Sequence, residues 1–177
     1  KYKLLYQLKK NKFQYSLQFL FYFCSMIHQI IKQQLIKSSI EEVWDFASSP
    51  KNLKKITPSY MNFIIKSKNT DEKIYPGMII YYKVSPILKI PTRWVTEITH
   101  VKKNQYFVDE QRVGPYKIWH HEHHFKEQKD GVLMTDIISY KLPLGILGRI
   151  VNYLFIKNKI NDIFNYRYNR MEEIFNK

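Results

Sequence analysis

Cysteine is almost absent: Cys24 is the only one in 177 residues. A disulfide framework and a cysteine-rich zinc site are therefore excluded, and a reducing, cytoplasmic location is expected. Glycine is scarce as well. The five glycines (77, 114, 131, 145 and 148) are scattered at turns, which excludes a phosphate-cradling glycine loop. There is no G-x-S-x-G elbow, and Cys24 lies in the N-terminal leader, so no activated serine or cysteine nucleophile is present. Arginine is limited to Arg93, Arg112, Arg149, Arg167 and Arg170, so the net charge of +14 rests mainly on lysine. Those lysines are spread along the chain instead of forming a patch. That argues against nucleic acid as a partner and leaves weak peripheral attraction to an anionic membrane surface open.

Long apolar runs are also missing. The uninterrupted apolar core of the N-terminal stretch is Phe19–Cys24, far short of the ~20 residues of a spanning helix. Residues 1–25 carry five lysines and no acidic residue, and the first methionine is Met26. Gln14, Ser16 and Gln18 interrupt the apolar segment, and no small-x-small cleavage site follows it. The expectation is a leader over 1–25 that lies outside the fold, and a single domain over 26–177.

What the chain does have is 45% apolar and 16% aromatic residues, enough for one sizeable core. Ile30–Lys37 reads as a strand. Ser38 and Ser39 then cap a short helix with Ile40, Val43, Trp44 and Ala47 on one face, and Asn52–Ile56 reads as a second short helix. Six further strand signals follow, at 62–67, 78–85, 92–101, 106–113, 117–126 and 132–141, separated by Pro, Gly, Asn and Asp. Beyond Gly148 there is no Pro or Gly, and apolar residues recur at three and four: Leu147, Val151, Leu154, Ile160, Ile163, Phe164 and Met171. The pattern predicts an α+β fold. A seven-stranded curved antiparallel sheet wraps a long C-terminal helix, with two short helices after the first strand. A sheet gripping a helix leaves space between them, often a ligand cavity.

The stretch WHHEHHF, Trp119–Phe125, holds four of the six histidines. Strand alternation puts Trp119, His121, His123 and Phe125 on one face, with His120, Glu122 and His124 on the other. In the preceding strand, Phe107, Asp109 and Gln111 share a face. These two faces coincide if the turn at Gly114-Pro115 has an odd number of residues. Trp94, Thr96 and Ile98 also point inward, as do Met134, Asp136, Ile138 and Tyr140. Arg93 and Glu97 are expected to pair on the surface. The interior then holds seven polar side chains: Thr96, Asp109, Gln111, His121, His123, Asp136 and Tyr140. Each costs ~1–3 kcal/mol if left unpaired.

Three readings of this cluster stay open. It could be a structural hydrogen-bond network, the polar end of a ligand cavity, or a catalytic or metal site. H-E-x-x-H would need histidine at 125, and a cupin-like site would need a histidine after His124; neither exists. His121 and His123 with Asp109 or Asp136 would make a two-His-one-carboxylate set. A His–Asp pair in a dry cavity could also act as a general base. Neither metal nor cofactor is expected.

Five stretches carry a family resemblance: VWDFASSPKNLKKITP (43–58), YPGMIIYYKV (75–84), RWVTEITHV (93–101), YFVDEQRVGPYKIWHHEHHF (106–125) and ISYKLPLGILG (138–148). Over about residues 28–176 the chain resembles the SRPBCC superfamily: START, birch-pollen-allergen-like and polyketide-cyclase-like helix-grip proteins. It is similar in particular to uncharacterised bacterial stand-alone members. The resemblance implies a small hydrophobic or amphipathic ligand (lipid, isoprenoid or polyketide-like) held between sheet and helix. Binding is favoured over catalysis, a polyketide cyclase or dehydratase being the alternative and a ligand-free interaction module the second. Relatives fused to sugar-nucleotide-epimerase-like domains suggest an epimerase-like partner by analogy. The expected cavity has apolar walls of Ile80, Tyr82, Trp94, Phe107, Trp119, Phe125, Met134 and Ile138. Its polar end is expected at Asp109, Gln111, His121, His123, Asp136 and Tyr140.

Overall fold

The computed structural model describes residues 27–68, 72–86 and 90–176. The leader expected over 1–25 lies outside the described residues. Seven strands form one antiparallel sheet: β1 (His28–Ile36), β2 (Ile64–Ile65), β3 (Ile79–Val84), β4 (Thr92–Lys102), β5 (Tyr106–Val113), β6 (Ile118–Gln128) and β7 (Gly131–Lys141). Their order is β1-β7-β6-β5-β4-β3-β2, so β1 closes against the last strand and every other neighbour is a sequential hairpin. The strand expected over 62–67 shrinks to the two-residue β2.

Between β1 and β2 run α1 (Ile40–Ala47) and two 3-10 turns, Pro50–Ile56 and Ser59–Met61. The start of α1 is fixed by a capping box. The Ser39 hydroxyl accepts from the Glu42 backbone N–H at 3.3 Å, and the Glu42 carboxylate accepts from the Ser39 N–H at 3.4 Å. Ile40, Val43 and Trp44 are the buried face of α1. Trp44 meets Phe107 and Phe125 edge-on, with centroids 6.1 and 5.5 Å apart, and so ties α1 to the sheet.

The inward faces follow the alternation. Asp109 pairs with His121, and Phe107 with His123. The last β5–β6 pair is Glu110 with His120, which leaves residues 111–119 in between, an odd number. Both strands therefore show the same face to the interior. Gln111 holds this turn: its amide donates to the Tyr116 carbonyl at 2.6 Å and its carbonyl accepts from the Tyr116 N–H at 3.3 Å. On the outer face, Glu97 pairs across strands with Arg112 at 2.5 Å, not with Arg93 as the sequence suggested. Arg93 and Glu97 are four residues apart along one strand, about 13 Å at ~3.3 Å per residue, and so compete poorly with a partner on the adjacent strand.

The C-terminal helix departs most from expectation. It comprises α2 (Gly145–Val151), a π-turn (Asn152–Ile156) and α3 (Lys157–Phe175). Ile160, Phe164 and Met171 are buried and Ile163 half-buried, as expected, but Leu147, Val151 and Leu154 are exposed. The π-turn is the reason. A widened turn absorbs an extra residue, so the buried positions recur at four: Gly148, Asn152, Ile156, Ile160 and Phe164. The first two are small or polar. Gly148 is buried because a Cβ there would lie 2.0 Å from the Pro143 carbonyl oxygen. Asn152 accepts a 2.9 Å hydrogen bond from the Tyr140 hydroxyl.

Ala normally gains up to ~1 kcal/mol over Gly inside a helix. At Gly148 the sign should reverse. Gly148→Ala is expected to cost about 1–3 kcal/mol through overpacking, read as a melting temperature lower by roughly 3–10 °C. An unchanged or raised melting temperature would refute the close approach.

Candidate functional site

The interior between β3–β7 and α3 holds a partly open cavity of about 180 Å³. By the measure of a water's ~30 Å³ share, that is room for roughly six waters, or for a slim apolar group. Of the expected wall residues, Ile80, Tyr82, Trp94, Phe107, Trp119 and Met134 line it. Phe125 and Ile138 do not. Phe125 is packed under Trp44, and Ile138 is sealed in a second cluster with Tyr140, Ile156 and Ile160. Walls the sequence reading did not anticipate come from the helical segments, with Phe46 and Leu53, and from the β5–β6 turn, with Tyr116.

The polar interior is resolved side chain by side chain. Gln111 and Tyr140 are spent on the turn and on Asn152 and do not reach the cavity. Thr96 accepts from Trp94 Nε1 at 3.1 Å. The remaining four form a closed quartet. His121 Nε2 lies 3.0 Å from Asp136 Oδ1, and its Nδ1 lies 3.4 Å from Asp109 Oδ2. His123 Nε2 lies 3.0 Å from Asp109 Oδ2, and its Nδ1 lies 2.8 Å from Asp136 Oδ1. That last contact lacks hydrogen-bond geometry and leaves Nδ1 without a partner. The two imidazoles are 3.8 Å apart, and His123 stacks on Phe107 at 4.1 Å. Cross-strand register creates the set. Asp109 and Asp136 flank β6 from opposite sides, opposite His121 and His123 respectively.

Burial alone would raise both carboxyls, but their close contacts with the His121 and His123 rings outweigh it and hold Asp109 and Asp136 well below the usual carboxylate range. Burial would likewise lower His121. Its hydrogen bonds to Asp109 and Asp136 outweigh this and raise it above its ordinary value. Burial pushes the Tyr82 phenol up, and the nearby Asp109 charge adds to the shift. On the outer face His120 contacts Glu110 at 3.0 Å and His124 contacts Glu122 at 2.9 Å, as the alternation predicts.

A second chamber of about 350 Å³ lies between β1, β7 and α3. It shares Met134, Phe164, Arg167 and Met171 with the first. The quartet stands between the two, with Asp109, His121 and His123 on the apolar chamber and Asp136 on the other. The second chamber is polar-sided, with Lys32, Gln34, Asn165 and Arg167. Arg167 escaped the sequence reading. Its guanidinium lies over the Phe164 ring at 4.8 Å, its Nε is buried without a hydrogen-bond partner, and no carboxylate pairs with it among the described residues. The signal was available, since 167 falls in the stripe Ile160, Phe164, Met171 at helical spacing.

Asp109, His121 and His123 offer one ligand atom each within 4.8 Å of one another. A divalent transition ion would suit that donor set. It would have to displace the imidazole protons that now face carboxylates.

No family model matches the sequence, and no curated protein does. Solved structures do. Ginseng major latex-like protein 151 from Panax ginseng superposes with a TM-score of 0.63 at 15% identity, over 85% of this chain and 99% of that one. A START superfamily protein from Mycobacterium smegmatis gives 0.57 at 13%, over 83% and 99%. A Chromobacterium violaceum protein gives 0.63 at 9%, over 85% and 99%. The chain has the helix-grip fold of these structures. In helix-grip terms, the grip is the inward face of β3–β7 and the held helix is α3, with the quartet and both chambers between them.

The quartet sets a pH profile for stability. Depressed carboxyls stabilise above their unfolded pKa of about 4, and that contribution is lost as pH falls. A raised His121 stabilises below its unfolded pKa of about 6.5, and that contribution is lost as pH rises through the higher folded value. Urea melts should therefore show a plateau between about pH 5 and 6.5 with decline on both sides. His121→Asn should remove the alkaline decline while lowering the plateau. A wild-type profile flat above pH 6.5 would show His121 to be uncharged.

Proposed function

We propose that the protein binds a small amphipathic molecule with an anionic head, its tail in the apolar chamber and its head at Arg167. The observation that carries this reading is Arg167 itself. It is a cation on the wall shared by an apolar and a polar-sided chamber, with a buried Nε–H that nothing in the protein accepts. A buried unmet donor is costly, and a carboxylate or phosphate matches a guanidinium in both charge and geometry. Lys32, whose ammonium donates to Asn165 Oδ1 at 3.2 Å, adds a second cation in the same chamber. The tail would supply affinity through apolar burial, at roughly 25 cal/mol per Å² before ordering costs. Asp109, with 18% of its side chain exposed, is the quartet member most open to a ligand and would accept from a hydroxyl on the chain.

One observation favours a catalytic reading. His123 lines the apolar chamber beside Asp136, whose Oδ1 lies 2.8 Å from a buried Nδ1 that makes no well-formed hydrogen bond, a His–Asp pair of the kind a general base in a cyclase- or dehydratase-like reaction would need. All four ring nitrogens of the quartet nevertheless lie 2.8–3.4 Å from a carboxylate oxygen, which supports binding as the primary role.

Displacement of a fluorescent fatty acid by a long-chain carboxylic acid, and by the alcohol of equal length, tests the proposal. The wild type should prefer the acid. Arg167→Gln should weaken acid binding by about ten- to a hundredfold, the worth of one charge-assisted hydrogen bond, and leave the alcohol unchanged. Ile163→Trp, placed on the cavity wall, should block both. Equal affinity of the wild type for acid and alcohol would overturn the anionic head, and failure of both to displace the probe would overturn ligand binding.

A further inference from the structure

The antiparallel register brings one set of strand ends together. Val84 faces Thr92, Val95 faces Val113, Ile118 faces Lys141, and His28 faces Tyr140. The segment 142–156 lies at this end. Gly148 is packed on the Pro143 carbonyl, Asn152 is bonded to Tyr140, and Arg149 and Lys157 are electrostatic neighbours of His28.

This segment is amphipathic in reverse. Its buried positions are Gly148, Asn152 and Ile156, while Leu147, Ile150, Leu154 and Phe155 point to solvent. Tyr153 is 81% exposed and Leu144 76%. Leu144 also has a φ of +69°, a left-handed backbone that a branched apolar residue rarely adopts. The fold therefore carries backbone strain at a leucine that it does not bury. Ile90 and Val113, on the neighbouring turns, are exposed at the same end. The turns at the opposite end of the sheet, Lys102–Gln105 and Lys129–Asp130, are charged and polar.

Charge completes the picture. From 137 to 161 the sequence has four cations (Lys141, Arg149, Lys157 and Lys159) and no acidic residue, and the turn after β5 adds Lys117, while Arg112 is paired with Glu97 and Glu110. Two copies meeting through this end would oppose like charges, and an apolar protein partner would offer no counter-charge to Lys117, Lys141 and Lys157. We propose that this end of the molecule docks on an anionic phospholipid bilayer. The exposed aliphatic and aromatic side chains would enter the interface, with the lysines at headgroup level. The contact proposed is peripheral, and among the described residues no helix is long and apolar enough to cross a membrane. Pro86, Trp94, Tyr116 and Ile160, near the same end, also line the apolar chamber, so a docked bilayer would abut the wall of the cavity.

Co-sedimentation of the full chain with phosphatidylcholine vesicles, with and without phosphatidylglycerol, decides the question without any cavity ligand. Binding is expected to the phosphatidylglycerol vesicles and to fall with added salt. Lys117→Gln with Lys157→Gln should weaken it about fivefold per charge. Leu147→Ser with Leu154→Ser should weaken it at least tenfold. Leu144→Asn, which tolerates the left-handed backbone, should weaken it without lowering the melting temperature. Absence of binding to either vesicle would overturn the proposal, as would binding that survives both sets of variants and so comes from elsewhere in the chain. Equal binding to phosphatidylcholine alone would overturn the role of charge. Self-association abolished by the apolar variants would make a second copy the occupant. Fatty-acid displacement in vesicle-free buffer is independent of all these outcomes, so failure here leaves the ligand reading standing.

Discussion

Two ionised carboxylates inside an apolar sheet are the constraint on which this structure turns. Asp109 and Asp136 would each cost several kcal/mol if buried without counter-charge. The sheet answers both acids from a single strand: His121, which they raise above its ordinary value, and His123 project side by side between the two neighbours that carry them, and each ring contacts both. The arrangement holds only while β5, β6 and β7 keep their register, so the electrostatics of the interior and the pairing of three central strands enforce each other. Removal of one imidazole would leave a buried charge short of a partner, which is why the histidines are poor places to probe binding alone.

Much of this was legible in the sequence, because strand alternation is a strict period of two. Spacing alone could group Phe107 with Asp109, His121 with His123, and Met134 with Asp136, each pair on one face of its strand, while the coincidence of the first two faces hung on an odd turn at Gly114-Pro115; the seven-strand sheet with its closing helix followed from the order of signals. Which polar groups would find each other was not legible. Gln111 and Tyr140 sit on the inward side like the quartet, yet their partners, the Tyr116 backbone and Asn152, are local accidents of a turn and a helix. Nor could spacing show that Glu97 prefers Arg112 across the ladder to Arg93 along its own strand.

The C-terminal helix shows where periodicity misleads. Leu147, Val151 and Leu154 repeat as a core face would, and so do Gly148, Asn152 and Ile156; only the second set is inside. When a segment is apolar on several sides, the inward face is chosen by what fits. Gly148 is chosen because the chain passes close by, and Asn152 because Tyr140 needs an acceptor. Arg167 was overlooked for the complementary reason. A stripe read for its apolar members hides the one cation standing in it, although the guanidinium rests on Phe164 as part of the same wall.

The odd count of residues between the last β5–β6 pair has a consequence for how this chain can vary in length. Losing or gaining a single residue between Gln111 and Trp119 would rotate every side chain of β6 by half a turn. His121 and His123 would go to water, and two anions would be left facing each other across Glu122 in the dry interior. Losing or gaining two residues would keep the parity and disturb only the Gln111 clamp on Tyr116. Length changes in this hairpin are thus tolerable in pairs, and the loop acts as a counter for the charge inside.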